Sequence, residues 1–247
     1  MSRIRFMNIE IDNLSMDEAI DSIDRLINER HRYVVTPNVD HIVKLDNDAE
    51  FRKVYENADL ILTDGKPLIW ISKLYGTPIR EKISGSDIFP KVCELANKKH
   101  YAMYLLGAGK GVAEVAAKNI VNEYDNIHVV GTYSPPFGFE NDKSEIDFIL
   151  DRINSAKPDI LIVGLGAPKQ EKFIYKYIDK LDVGIALGLG ASIDFMAGNI
   201  KRAPKWVSNI GFEWFYRFLK EPKRLFKRYF IDDIKIIFLF FKYLKYK

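Results

Sequence analysis

With one cysteine in 247 residues, Cys93, the chain has no internal disulfide and no CxxC pair for a metal or redox centre, which fits a reducing compartment. Cys93 reads as a small buried hydrophobe on a helix. The four histidines (His31, His41, His100, His128) have no i, i+4 partner, which argues against a helical metal pair and for structural roles. No run of about 18 apolar residues occurs, and MSRIRFMNIEIDNLSMDEA brings charges too early for the apolar core of a signal peptide. The expectation is a chain that neither carries a secretion signal nor spans a membrane. Repeats and low-complexity segments are missing as well.

What is present is an ordinary globular composition, 47% hydrophobic and 29% charged, enough for one sizeable core. The net charge of +3 hides an asymmetry. Residues 196–247 hold 13 Lys and Arg against 4 Asp and Glu, while residues 1–195 hold 24 against 30. The last fifth also carries 14 of the 32 aromatics, so it is basic and apolar together, unlike a disordered basic tail. The expected division is a domain over 1–195 and a helical appendage over 196–247.

Short apolar, β-branched runs alternate with helical patterns. RYVVT, DLILT, YAMYLLG, IHVVGTY, DILIVGLG and VGIALGLG read as strands; DHIVKLDNDAEFRKVYENA, GKPLIWISKLYG, GVAEVAAKNIVNEY, Ser144 to Ala156 and Lys169 to Lys180 read as helices. Near-continuous apolar strands, each followed by an amphipathic helix, predict a Rossmann-like α/β domain with a mostly parallel sheet covered on both faces. Ligands of such sheets bind beyond the carboxyl ends of the strands, where loops converge and helix N-termini aim their free N–H groups. The candidates are therefore Thr36 and Asn38 after YVV, Asp64 after LILT, the turn from Gly107 through Gly109 to Gly111, Thr132 to Ser134, Gly164 to Gln170, and the segment around Gly190.

Several motifs have ordinary explanations. Glycines 107, 109 and 111 miss the G-x-G-x-x-G pattern, whose third position falls on Val112, and IHVVGTY ends without the acid that would hold a ribose, which argues against a dinucleotide. A glycine-lined turn at Gly107 and Gly109 beside a nucleotide diphosphate remains reasonable. GLGAPKQ lacks the GK[ST] of a phosphate loop. Asp46-Asn47-Asp48 has the spacing of a metal-binding D-x-D but lies inside a helical pattern, where solvated surface or a local cap accounts for it; no metal or other cofactor is required. Asp64-Gly65 reads equally as a turn or as a carboxylate placed to accept a proton from a sugar hydroxyl.

Taken together, TPNVDHIVKL, LTDGKPLIW, ISGSD, YLLGAGKGVAE, VGTYSPPFGF, LIVGLGAPKQEKFI, IALGLGASIDFMAG and KRAPKWVSNIGFEWFYRFLKEPKR, in this order, resemble the WecG/TagA/CpsF glycosyltransferase family from about Val34 to Arg228. The resemblance implies a UDP-sugar-dependent inverting transferase at the inner face of the bacterial cell membrane. Its reaction would move N-acetylmannosamine, or a related sugar, to GlcNAc on undecaprenyl diphosphate, in synthesis of the teichoic acid linkage unit type. A capsule or exopolysaccharide enzyme using another UDP-hexose or a uronic acid is the alternative, as is a nucleotide-sugar-binding relative without turnover. It implies Thr36, Asn38, Asp64 and Gln170 in the active site, with Asp64 as base. One departure is Lys82, where relatives often carry arginine; it keeps the charge without the bidentate grip and tilts the expectation toward an uncharged hexosamine. Without a metal, the leaving diphosphate would be met by helix N-termini near Gly109 and Pro168 and by Lys82, Lys169, Arg217 and Arg224.

In the appendage, Arg217, Lys220, Arg224 and Arg228 recur at helical spacing. Ile231, Ile234, Phe238 and Phe241 form an apolar stripe, with Pro222 dividing the helices. This pattern predicts attachment to an anionic membrane surface, with a self-packed helical hairpin as the alternative. The separation of faces and the lack of an RNA-binding motif argue against nucleic acid. An apolar patch left by a detached appendage would invite self-association into a homo-oligomer.

Overall fold

The computed structural model describes residues 3–200, 203–204, 207 and 211–245, without the side chain of Arg224. The KRAPKWVSNI block thus lies mostly outside the described residues. The chain opens with an antiparallel hairpin, β1 (Arg3–Phe6) and β2 (Ile9–Asp12), followed by α1 (Met16–Glu29). The central sheet is built from β3 (Arg32–Val35), β4 (Leu60–Ile61), β5 (Ala102–Gly107), β6 (His128–Tyr133), β7 (Ile160–Gly164) and β8 (Ile185–Gly188). All pairs in it are parallel, in the order β4-β3-β8-β7-β5-β6. The α/β architecture expected from the alternation is the one observed.

Period-two alternation decides which side chain goes to which face. Tyr33 and Val35, Tyr104 and Leu106, and Leu161 and Val163 enter one core; Val34, Met103, Leu105, Ile160 and Ile162 enter the other. Both cores are covered by helices, so every one of these strand residues is buried. At about 25 cal/mol per Å² of apolar surface, this double layer is the main source of stability. Cys93 lies in the second core, on the helix Gly85–Lys99, where burial pushes its thiol well above the ordinary range.

One helical pattern divides in two. DHIVKLDNDAEFRKVYENA forms α2 (Val39–Asn47) and α3 (Ala49–Glu56), separated by Asp48 at φ −122° and ψ 99°. Asp48 ends α2 and caps α3, accepting the N–H of Phe51 at 2.9 Å, and its carboxylate meets Lys172 at 2.8 Å. The re-aimed α3 buries Phe51, Val54 and Tyr55. Asp46 accepts from Lys242 at 2.8 Å and from the Tyr243 hydroxyl at 2.7 Å. Asp46 and Asp48 thus serve as anchor and cap. Among the described residues no group of three or more His, Cys, Asp and Glu is arranged to hold a metal ion.

The basic C-terminal region is helical in short pieces: Glu213–Lys220, Pro222–Lys227, a π turn over Arg228–Asp232, a 3-10 turn over Asp233–Lys235, and Ile236–Leu244. Pro222 begins a helix after Glu221, as its missing N–H and fixed φ favour. The last helix is docked on the first core by Ile236 and Leu239, by the Tyr75 hydroxyl donating to the Tyr243 carbonyl at 3.2 Å, and by the Tyr75–Phe240 edge contact. Its outer side differs. Ile231, Ile234, Phe238 and Phe241 are 49 to 74% exposed. Among the described residues no helix is long and apolar enough to cross a membrane.

Candidate active site

A cavity of about 740 Å³ opens at the carboxyl end of the sheet, lined from the loops after all six strands and from the C-terminal helices. The strand order explains its position. β8 lies between β3 and β7, so chains leaving β3 and β7 diverge around it and leave a crevice.

Thr36 and Asn38 follow β3. The Thr36 hydroxyl is buried and donates to the Gly188 carbonyl at 3.2 Å, tying the β3 exit to β8. Pro37 suits the extended bend, and Asn38 then caps α2 by accepting the N–H of His41 at 3.4 Å. Asp64 follows β4. Its N–H donates to the Pro37 carbonyl at 2.8 Å, bringing the two loops side by side. Gly65, at φ +103°, turns the chain abruptly into the helix Lys66–Tyr75, a conformation costly for any residue with a Cβ. Of the two readings of Asp64-Gly65, both hold: the glycine makes the turn and the carboxylate lines the cavity.

Asp64 lies deep in that cavity, half-buried. Burial raises its carboxyl above the ordinary carboxylate range; the Lys82 charge opposes this, Glu213 adds to it, and Arg217 and His41 oppose it. Lys82 is placed by the Ile83 N–H, which donates to the Thr63 carbonyl at 2.8 Å. Its ammonium meets Asp87 at 2.6 Å and Glu213 at 3.6 Å. Burial works to lower the Lys82 pKa and is outweighed by Asp87, Glu213 and Asp64, so its proton is held more tightly than usual. Lys82 is therefore committed to carboxylates and acts on Asp64 through its charge.

Gln170, in the first turn of α4 (Lys169–Tyr177), is 3% exposed, with both ends of its amide engaged. Its Nε2 donates to Glu171 at 2.6 Å and its Oε1 accepts from the Gly190 N–H at 3.0 Å. It braces the loop after β8 that brings Gly190, itself at φ +57°, to the cavity wall. Lys169 sits on the wall, paired with Glu140 at 2.6 Å and stacked over Phe137 and Phe139. Arg217 also lines the cavity, lies 5.8 Å from the Phe195 ring, and has a buried Nε with no hydrogen-bond partner among the described residues. The N-terminus of α4 faces the cavity through Gly166, Ala167, Lys169 and Gln170.

Gly107 and Gly109 do not line the cavity; Ala108 between them does. Their service is structural. At Gly107, with φ +115°, a Cβ would come within 2.4 Å of the Gly164 carbonyl oxygen, and the Ser134 hydroxyl reaches the carbonyls of Gly107 at 3.0 Å and Gly109 at 3.1 Å. The Arg224 side chain lies outside the described residues. The wall also holds residues outside the expected set, His41, Asp233 and Arg228 among them. By sequence Arg228 belongs to the basic stripe alone, yet its Nη2 donates to Asn38 Oδ1 at 3.2 Å and lies 3.7 Å from Asp40. By sequence His41 has a structural role. The Asn38-x-x-His41 spacing of a capping box was the available sequence signal for its proximity to Asn38.

Residues 4–247 match the glycosyl transferase WecG/TagA/CpsF family. The chain belongs to this family. It is 33% identical over 219 residues, 88% of this chain and 83% of the relative, to the N-acetylglucosaminyldiphosphoundecaprenol N-acetyl-beta-D-mannosaminyltransferase of Bacillus subtilis (strain 168). It is 34% identical over 192 residues to the protein of the same name in Bacillus spizizenii, covering 78% of this chain and 72% of that one. The Staphylococcus aureus (strain MW2) protein of that name is 26% identical over 227 residues, 91% of this chain and 87% of the relative. At the carboxyl end of its sheet this family member gathers the cavity-lining carboxylate of Asp64 with Lys82, Lys169, Arg217 and Arg228.

Proposed function

We propose that this transferase moves N-acetylmannosamine from UDP to the GlcNAc unit of an undecaprenyl-diphosphate-linked acceptor, in synthesis of the teichoic acid linkage unit type, with Asp64 as general base. The observation that carries the reading is the Asp64 carboxylate on the cavity wall beyond the carboxyl end of β4, with its proton affinity raised by burial. A base with proton affinity moved toward the working pH is the more effective one, and such catalysis contributes roughly 10²–10⁴ in rate. The N-acetylmannosaminyltransferases of the two Bacillus species support the transferred sugar and the acceptor.

In the proposed reaction Asp64 takes the acceptor hydroxyl proton as that oxygen attacks the anomeric carbon and the bond to UDP breaks, inverting the centre. The leaving diphosphate takes up negative charge. Arg217, whose buried Nε has no partner among the described residues, and Arg228 would meet it, together with the N–H groups at the start of α4. Lys82 is held by Asp87 and Glu213 rather than left open to a carboxylate on the sugar, which favours an uncharged hexosamine over a uronic acid.

The acceptor is a lipid, and the exposed stripe of Ile231, Ile234, Phe238 and Phe241, near Lys227, Lys235 and Lys242, supports a peripheral position on the inner face of the cell membrane. UDP release with UDP-N-acetylmannosamine and a short-chain GlcNAc-diphospholipid tests the function. Release that depends on the acceptor is expected. Release only with another UDP-hexose or a uronic acid would reassign the donor, and no release with any sugar would leave a nucleotide-sugar-binding protein.

A further inference from the structure

Two buried polar side chains, His41 on the cavity wall and Glu171 behind it, have no part in the proposed reaction. His41 is 5% exposed and Glu171 1%. A carboxylate buried this deeply is costly unless partnered. Glu171 Oε1 accepts from Gln170 Nε2 at 2.6 Å and faces His41 Nε2 at 3.3 Å. The other ring nitrogen, Nδ1, is 2.7 Å from Asn38 Oδ1. The ring itself is clamped, stacked on Phe51 at 5.8 Å with Tyr55 on its edge at 6.3 Å.

The hydrogen-bond pattern fixes the Asn38 amide. Its Oδ1 meets the His41 backbone N–H at 3.4 Å and Arg228 Nη2 at 3.2 Å as well as the His41 ring. Turned round, the amide would set its NH₂ against those donors. Nδ1 therefore carries a hydrogen and donates to Oδ1, and the Asn38 backbone N–H, 3.3 Å from the same nitrogen, is then a close approach and not a hydrogen bond. With Nδ1 so used, Nε2 and the Glu171 carboxylate attract only through a proton between them. Asn38 Nδ2, without a partner among the described residues, is the end left for the cavity that Asn38 lines.

We propose that His41 and Glu171 are positioning residues that lock the Asn38 amide with its Nδ2 toward the cavity. The site then reads a substrate oxygen that accepts a hydrogen bond, either an N-acetyl carbonyl or a phosphate oxygen. This rests on the transferase reading for its kinetic arm alone.

The test uses the full chain and three variants. Asn38→Asp keeps the cap and replaces the donor with an acceptor; His41→Phe keeps the stacked ring and deletes both nitrogens; Glu171→Gln keeps the shape. Asn38→Asp should lower kcat/KM by at least ~10-fold through KM. In the His41→Phe background the same change should cost several-fold less, because the amide is already unlocked. Additive effects would overturn the proposal. Calorimetric binding of UDP, UDP-mannose and UDP-N-acetylmannosamine to Asn38→Asp separates the two oxygens: weakening for all three assigns the phosphate, and weakening for the last alone assigns the N-acetyl carbonyl. No weakening for any would overturn the inference. Independently of turnover, the Asn38 side-chain NH₂ resonance, assigned by its loss in Asn38→Asp, should shift or broaden in His41→Phe and in Glu171→Gln. An unchanged resonance in a folded variant would overturn the lock, and Glu171→Gln carries this arm if His41→Phe does not fold. A wild type that releases no UDP would defeat the transferase reading while the resonance still decides the lock.

Discussion

Asp233 offers a perturbation whose size follows from its surroundings. It lies in the 3-10 turn that joins the C-terminal helices, with its Oδ1 buried and unpartnered and with Arg228 4.0 Å from its Oδ2. Burial pushes its carboxyl up to about 7; Arg228 opposes this and Asp40 adds to it. A group that binds its proton more tightly folded than unfolded stabilises the fold at low pH and loses that contribution as pH rises through the folded value. The window runs from the ordinary carboxylate range to about pH 7. A rise of roughly 3 pH units corresponds to about 4 kcal/mol, of which roughly 2.5 kcal/mol falls between pH 5 and pH 8. Asp233→Asn removes the ionisation and keeps the shape. Relative to wild type it should gain about 2–3 kcal/mol on going from pH 5 to pH 8, or roughly 5–10 °C in Tm for a chain of this size. Urea unfolding of both proteins at the two pH values measures it. An equal difference between wild type and variant at pH 5 and pH 8 would refute the reasoning.

Asp64→Asn should fold cooperatively and lose roughly 10²–10⁴ in turnover; near-normal UDP release from the folded variant would remove Asp64 as base. Lys82→Met removes a charge that lowers the proton affinity of Asp64, so the acid limb of the rate profile should move to higher pH, and an unmoved limb would break that coupling. Gly107→Ala must place a Cβ against the Gly164 carbonyl in a left-handed conformation and should cost a few kcal/mol, read as a lowered Tm. The full chain should sediment with anionic vesicles and be released as salt rises, each basic residue near the surface contributing about 1 kcal/mol; binding indifferent to salt would rule out an electrostatic contribution.

Strands with apolar residues on both faces and loops with polar residues at their carboxyl ends were legible because both are local patterns. RYVVT, DLILT and DILIVGLG announce themselves, and the position of Asp64 after a strand with no hairpin partner follows from reading along the chain. Pairings across the fold leave no such trace. Glu171 meets His41 across 130 residues, and Arg228 meets Asn38 across 190. The commitment of Lys82 to Asp87 and Glu213 was hidden for the same reason, since charge in a sequence does not say what it faces. Gly107 and Gly109 read as a diphosphate turn because glycine serves close backbone approach of any kind; at Gly107 the approaching group is the neighbouring strand, and at Gly109 it is the Val112 side chain. The break at Asp48 was masked by a helical period that continues across it.

The place of β8 between β3 and β7 bears on how the chain is made. Synthesis from the N-terminus yields β3 some 150 residues before its neighbour, so the growing polypeptide carries two incomplete half-sheets. One is β4 with β3, the other β7, β5 and β6, and each exposes an apolar strand edge. Insertion of Ile185–Gly188 closes both edges at once. The same event brings the Gly188 carbonyl to Thr36 and the Gly190 N–H to Gln170. Sheet completion and assembly of the cavity thus depend on the same strand, and a chain ending before residue 185 would hold neither.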